Sequence, residues 1–233
     1  MIRLDKFLAQ MNMGTRSEVK NAIRKGKVTV NGDICKNADI KVDELADVIC
    51  YEDRKICYEK YVYFMLNKPA GVVSATKDNH DKTVLDLLAK ENIQDVFPVG
   101  RLDKDTEGLL LLTNDGELAH QLLSPKKHIP KTYFVKTKES VTKEQVDALE
   151  RGVDIGEDVF TMAAQVEMLA ENELFLTIYE GKFHQVKRML KAVGNEVIFL
   201  KREKMGNLSL DKKLKLGEYR KLTTEEIELL KNR

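Results

Sequence analysis

No apolar run in this 233-residue chain approaches the roughly 20 residues that a membrane-spanning helix needs, so no membrane partner is expected. The opening MIRLDKFLAQ carries an aspartate and no long apolar stretch, which argues against a secretory leader and for a cytoplasmic protein. Cysteine is scarce: Cys35, Cys50 and Cys57 make an odd set of three with no CxxC spacing. That excludes a disulfide framework and the usual zinc ligand patterns, leaving reduced thiols. Internal repeats and low-complexity tracts are also absent. What remains is a chain with 42% hydrophobic and 33% charged residues, the balance of a folded globular protein of one or two domains.

A formal net charge of +1 hides segregation. Residues 1–27 hold seven basic side chains against Asp5 and Glu18. Residues 124–138 hold five lysines and no acid, and residues 181–191 hold Lys182, Lys187, Arg188 and Lys191 and no acid. Local positive fields of this kind suit a polyanion. In the first of them, Leu4, Phe7, Leu8 and Met11 recur at helical spacing. Thr15 and Glu18 form a capping box for a second helix that Gly26 ends. Arg16, Lys20 and Arg24 share one face of that helix. VTVNGDIC then reads as two strands around an Asn31-Gly32 hairpin turn, since both residues tolerate positive φ.

Over roughly residues 1–45, LDKFLAQ followed by TRSEVKNAIRKGKVTVNG resembles the S4-like RNA-binding domain. The resemblance implies that Arg16, Lys20 and Arg24 meet phosphates, contacts that anchor an RNA without reading its sequence.

A second domain is expected from residue 61 to 233, the boundary falling near Lys60 where YVYFMLNKP opens a β-rich run ended by Pro69. Strands are expected at 61–67, 96–99, 108–113, 131–138, 159–169, 173–180, 196–202 and 217–222. Helices are expected at 83–89, 115–123, 142–151, 183–193 and 223–231. Asp115 should cap one helix, Thr142 and Gln145 should box another, and Gly152 and Gly194 sit where helices should end. Strands and helices do not alternate strictly. The expected class is therefore α+β: a small α-rich N-terminal domain, then a mixed, mainly antiparallel sheet flanked by helices.

Chemistry-bearing residues are densest in GRLDKDTEGLLLLTNDG, residues 100–116, where Arg101, Asp103, Lys104, Asp105 and Glu107 crowd the approach to a buried apolar run. This stretch resembles the signature of the RsuA-type pseudouridine synthases, enzymes of small-subunit ribosomal RNA within a wider family that also modifies large-subunit RNA. LNKPAGVVS at 66–74, SPKKHIPKTY at 124–133 and EGKFHQVKRM at 180–189 resemble the family's other motifs, in the same order. With the N-terminal module, the resemblance spans nearly the whole chain.

The reaction so implied detaches uracil from ribose, turns it and rejoins it through carbon. Nothing is oxidised and no group is gained or lost, so no cofactor and no metal are expected. The resemblance makes Asp103 the catalytic nucleophile, a carboxylate able to split one hard step into easier ones. Attack on the sugar, attack on the base and a glycal route all remain open. An adjacent cation favours the ionised form of a carboxylate, and the resemblance gives that position to Lys187. Many relatives carry arginine there, and lysine lacks the bidentate fork, so Arg188 is the fallback partner. Over 183–193, Val186, Met189, Leu190 and Val193 form an apolar stripe, with His184, Lys187, Arg188 and Lys191 on the other face.

By the same resemblance Tyr133 stacks on the target base, which must leave the RNA helix to be reached. Ile178 or Leu176 lines the floor beneath it, and Arg101 contacts RNA, as do Lys182 and Arg188. A surface pair of Arg101 with Asp105 or Glu107 is the alternative. Lys68 and Pro69 read as structural, and His80, His120 and His128 as non-catalytic. The expected partner is ribosomal RNA, small-subunit rather than large-subunit, naked or in a partly assembled subunit, bound by a monomer.

Two rival readings exist. Asp103-Lys104-Asp105-Thr106 fits the D-x-D-x-T pattern of haloacid-dehalogenase-type phosphatases, but Gly100-Arg101 interrupts the approach and no later acidic pair is available for magnesium. A non-catalytic RNA-binding or ribosome-assembly factor would need only the basic module.

Overall fold

The run LLLL at 109–112 is buried on both sides of its strand, and the larger part of the fold is arranged around it. The computed structural model describes residues 1–233 apart from Asn12, Cys57, Glu59, 92–94, Glu157 and 232–233, and without the side chains of 89–91. The chain forms two compact units, Met1–Tyr61 with Glu91–Asp95, and Val62–Lys90 with Val96–Arg233.

In the first unit, β1 (Ile2–Arg3) leads into α1 (Leu4–Gln10) and α2 (Arg16–Arg24). They are followed by β2 (Val28–Val30), β3 (Asp33–Ile34), β4 (Lys41–Val42), β5 (Ile49–Tyr51) and β6 (Arg54–Ile56). Leu4, Phe7 and Leu8 of α1 pack with Val19 and Ile23 of α2 and with Val28, Val42 and Ile49. The Thr15–Glu18 capping box opens α2 as expected. Asn31 (φ 55°) and Gly32 (φ 92°) make the turn between β2 and β3. Strands β4 to β6 fall where alternation is the sole strand signal in the residue pattern.

The second unit contains β7 (Tyr63–Lys68), β8 (Phe97–Pro98), β9 (Glu107–Thr113), α3 (Gly116–Leu123), β10 (Lys131–Thr137) and α4 (Lys143–Arg151). It continues with β11 (Gln165–Ala170), β12 (Glu173–Ile178), α5 (Gln185–Ala192), β13 (Val197–Met205), β14 (Leu208–Ser209), β15 (Tyr219–Lys221) and α6 (Thr224–Lys231). The sheet runs β11-β12-β10-β13-β9-β7-β15, with β14 beside β13 and β8 beside β9. Its pairs are antiparallel except β13 with β9, which makes it the mixed sheet of an α+β fold. Leu109 and Leu111 join Met65, Val99, Leu118 and Leu122 in a core on one face. By alternation Gly108, Leu110 and Leu112 look to the other face. Asp115 caps α3, Thr142 and Gln145 box α4, and Gly152 and Gly194 follow α4 and α5 with positive φ.

Three expectations need correction. Residues 83–89 do not form an α-helix; a 3-10 helix spans Leu85–Glu91, opened by Thr83 and Asp86 bonding to each other. The strand expected at 159–169 is confined to Gln165–Ala170, with Phe160 in a single bridge to Asp154. The helix expected at 183–193 begins only at Gln185, because His184 takes a left-handed φ of 49°.

Candidate active site

One row of residues crosses the centre of the sheet. Leu176 on β12 is opposite Tyr133 on β10, Tyr133 is opposite Arg202 on β13, Arg202 is opposite Gly108 on β9, and Gly108 is opposite Lys68 on β7. Directly opposed residues share a face, so these side chains line one strip. Gly108 is required in it: φ is +99°, and a Cβ there would sit 2.3 Å from the Arg202 carbonyl oxygen. Its missing side chain leaves room for Arg202, whose Nε donates to the Leu109 carbonyl at 2.8 Å. Arg202 is buried, and its Nη2 has no partner among the described residues.

At the end of the strip, fully buried Lys68 reaches into the loop before β9. Its ammonium donates to the carbonyls of Thr106 (2.9 Å), Asp103 (3.0 Å) and Pro69 (3.1 Å), with Lys104 O at 3.4 Å. Burial lowers its pKa to about 8, against the pull of Asp105, Asp103 and Glu107. The segment after β7 adds two more ties: Gly71 N donates to Lys104 O at 2.7 Å, and Ser74 Oγ exchanges hydrogen bonds with Leu102 N (3.0 Å) and O (2.8 Å). Motif 66–74 is thus the clamp that holds the Asp103 loop, which is how the structural reading of Lys68 is realised.

Asp103 is held with its side chain 26% exposed. Lys187 of α5 places Nζ 3.3 Å from Asp103 Oδ2 and 2.5 Å from Asp105 Oδ1. Lys187 therefore bridges two carboxylates, and its hydrogen bond holds Asp105 below the usual carboxylate range. Sequence reasoning did not foresee the competing acid, nor His184, whose Nε2 lies 3.6 Å from Asp103 Oδ1. That distance is electrostatic rather than a hydrogen bond. The helix reading put His184 on the face of Lys187, and both side chains do approach Asp103, although His184 itself precedes α5 with a left-handed φ of 49°.

Arg188, the fallback partner, is committed elsewhere: Nε donates to Ile155 O at 2.9 Å, Nη1 to Phe183 O at 3.3 Å and Nη2 to Gly156 O at 3.4 Å. Lys182 is tied to Glu180, the acid just before its basic run. Arg101 is exposed and makes no ion pair among the described residues, so the pairing with Asp105 or Glu107 does not form. Residues 101–103 are not in a strand, so strand alternation does not govern the directions of Arg101 and Asp103; Leu102 between them is buried.

Tyr133 is 8% exposed, about 10 Å from β9 by two strand spacings, and Leu176 and Ile178 are buried on the same face. Val186, Met189 and Leu190 form the buried stripe of α5, joined by Gln185, while Val193 is only half-buried. Lys131, next but one to Tyr133, donates to Ile129 O at 2.9 Å, and burial lowers its pKa to about 8.

In the first unit, Arg16 and Lys20 do not present free charge. Both approach Asp5 at 3.6 Å, and Arg3 grips the same buried carboxylate through two bonds of 3.1 and 3.0 Å. Burial works to raise the Asp5 carboxyl, and Arg3 with Arg16 holds it below its ordinary range. Arg24 pairs with no acid among the described residues. Cys35 and Cys50 are free thiols, and Cys57 lies outside the described residues. Among the described residues, no three His, Cys, Asp or Glu come together as a metal site, and no helix is long and apolar enough to cross a membrane.

The layout also bears on the phosphatase reading. Asp103 stands in a loop ahead of β9, not directly after a buried parallel strand. A clamped carboxylate beside a cation thus accompanies a strip that holds Tyr133 and Leu176 together with Arg202 and Lys68.

Comparison with known proteins agrees. Residues 62–192 match the family model of RNA pseudouridylate synthases, and residues 2–49 match the S4 domain. The chain is 49% identical to the uncharacterized RNA pseudouridine synthase YtzG of Bacillus subtilis (strain 168), over 98% of both chains. It is 42% identical to ribosomal small subunit pseudouridine synthase A of Escherichia coli (strain K12), over 97% of this chain and 98% of the relative. A pseudouridylate synthase crystal structure covers 99% of this chain and is covered in full, with TM-score 0.68 and 41% identity. The chain belongs to the RNA pseudouridine synthase family and carries an S4 domain at its N-terminal end: it is an RNA-modifying isomerase.

Proposed function

We propose that this enzyme converts a specific uridine of small-subunit ribosomal RNA to pseudouridine, with Asp103 as nucleophile and no cofactor. The observation that carries the reading is the Asp103 carboxylate clamped by Lys68 through its own loop and set 3.3 Å from the Lys187 ammonium. The C1′–N1 bond of the nucleotide breaks, the ring turns, and a C1′–C5 bond forms. C5 gives up a proton and N1 gains one, so atoms balance without any co-reactant. Lys187, with its ammonium 3.3 Å from Asp103 Oδ2, orients that carboxylate for the step. Tyr133, with Leu176 and Ile178 beneath, receives the flipped base, and Arg101 and Arg188 face the RNA backbone. Arg24, together with Arg16 and Lys20, anchors the RNA at the S4 domain. The small-subunit target is supported by the relatives that bear that name.

The test is to map pseudouridine in ribosomal RNA from cells with and without this protein, and from cells carrying Asp103→Asn. One small-subunit uridine should lose its modification in the null and in Asp103→Asn, while the variant still binds the RNA. A lost site in the large subunit would move the target. A wild-type protein that binds RNA and never converts uridine would leave only the binding-factor reading.

A further inference from the structure

Phe183 stands in the open. Its side chain is 70% exposed, in a segment where folding could have buried it or replaced it with a polar residue. A single exposed apolar side chain is ordinary on a protein surface. This one differs in being held rigid. One face of its ring stacks on the His184 imidazole, with centroids 3.8 Å apart and planes at 19°. Its carbonyl is pinned by Arg188 Nη1 at 3.3 Å, and Arg188 is itself anchored on Ile155 O. The backbone on either side is fixed too: Lys182 N donates to Gln185 Oε1 at 2.9 Å, and His184 holds a left-handed φ of 49°. A non-glycine residue in that conformation is strained, and such strain persists where the surroundings enforce it.

The pair is continuous with the catalytic carboxylate, because His184 Nε2 is 3.6 Å from Asp103 Oδ1. Tyr133 occupies the sheet strip, so the outer face of Phe183 is a second aromatic surface, separated from Asp103 by the His184 ring on which it stacks. Arg188 and Lys191 on the same helix carry positive charge and pair with no acid among the described residues, while Lys187 is taken up by Asp103 and Asp105.

We propose that the Phe183–His184 pair is a stacking platform for the unpaired nucleobase next to the target uridine. This rests on the function proposed above and adds a subsite to it. Every base has a π-face, so the platform accepts any neighbour and favours purines, which offer more area. It holds the strand open while the target base is out of the helix.

The test uses an rRNA fragment carrying the uridine that the mapping identifies, intact or with an abasic residue immediately 5′ or 3′ of it. Phe183→Ala should lower kcat/KM on the intact RNA by on the order of tenfold, chiefly through KM, and Phe183→Tyr should restore it. One of the two abasic RNAs should cost wild type a similar factor and cost Phe183→Ala nothing more. Thermal unfolding of both variants should match wild type, since the ring contributes little to the core. Equal kcat/KM for Phe183→Ala and wild type, or losses that multiply fully between variant and abasic RNA, would overturn the platform while leaving the enzyme reading intact. A wild-type protein that converts no uridine would overturn both.

Discussion

Asp103 stands out in the sequence because it lies in one of four ordered motifs of a single family; its loop is held by Lys68, 35 residues earlier in the chain. A buried ammonium bonded to three carbonyls needs all three of its protons. With burial lowering its pKa to about 8, the amine form gains weight above that pH and one grip on the loop is lost. Turnover at saturating RNA should therefore decline as pH rises through about 8, and a pH–rate profile flat to the alkaline limit of the RNA would contradict this. The stability contribution of the same group has the opposite sign. In the unfolded chain the lysine titrates near its ordinary value of 10.5, so between about 8 and 10.5 the unfolded state binds the extra proton. This group's share of stability then increases with pH across that window. No residue pattern reveals any of this, because the receiving carbonyls other than that of Pro69 belong to a loop 35 or more positions away and acquire their places only on folding. For His184, helical periodicity gave the face it shares with Lys187 but not its distance to Asp103, which depends on where the loop before β9 is held.

At the level of elements, the strands and helices with strong local signals fall where the sequence puts them, including β9, α3, α4 and the capped α2. The departures share a cause. Around 83–91 a Thr-Asp pair closes a tight turn that apolar spacing mimics as α-helix, and at 159–164 β-prone residues have no neighbouring strand to complete a ladder. Cross-strand register lies beyond single-strand patterns altogether, and with it goes the strip from Leu176 to Lys68. Gly108 is the tightest point of that strip. Gly108→Ala combines a left-handed φ with a 2.3 Å clash against backbone, so urea denaturation should show a loss of about 3 kcal/mol. Gly32→Ala shares the positive φ but meets nothing within 4 Å, and should cost about 1 kcal/mol. Equal costs at the two positions would show that contact with Arg202 is not what fixes Gly108.

Over the whole molecule, a nearly neutral total charge conceals an RNA anchor that is partly spoken for. Counting residues gave Arg16, Lys20 and Arg24 equal standing; the fold ties the first two to buried Asp5 and leaves Arg24 unpaired among the described residues. Arg24→Ala should flatten the dependence of log affinity on log salt by about one unit, since one phosphate contact and its released counterion are lost. Arg16→Ala should flatten it less, and titrations across salt concentrations separate the two. The clamp on the catalytic loop has a wider consequence. Lys68 grasps main-chain oxygen, which every amino acid supplies, so the identity of side chains at 103, 104 and 106 is not constrained by the need to hold the loop. Evolution can alter the chemistry presented there while the scaffold stays put, and a substitution at 103 removes the carboxylate without releasing the main-chain grip.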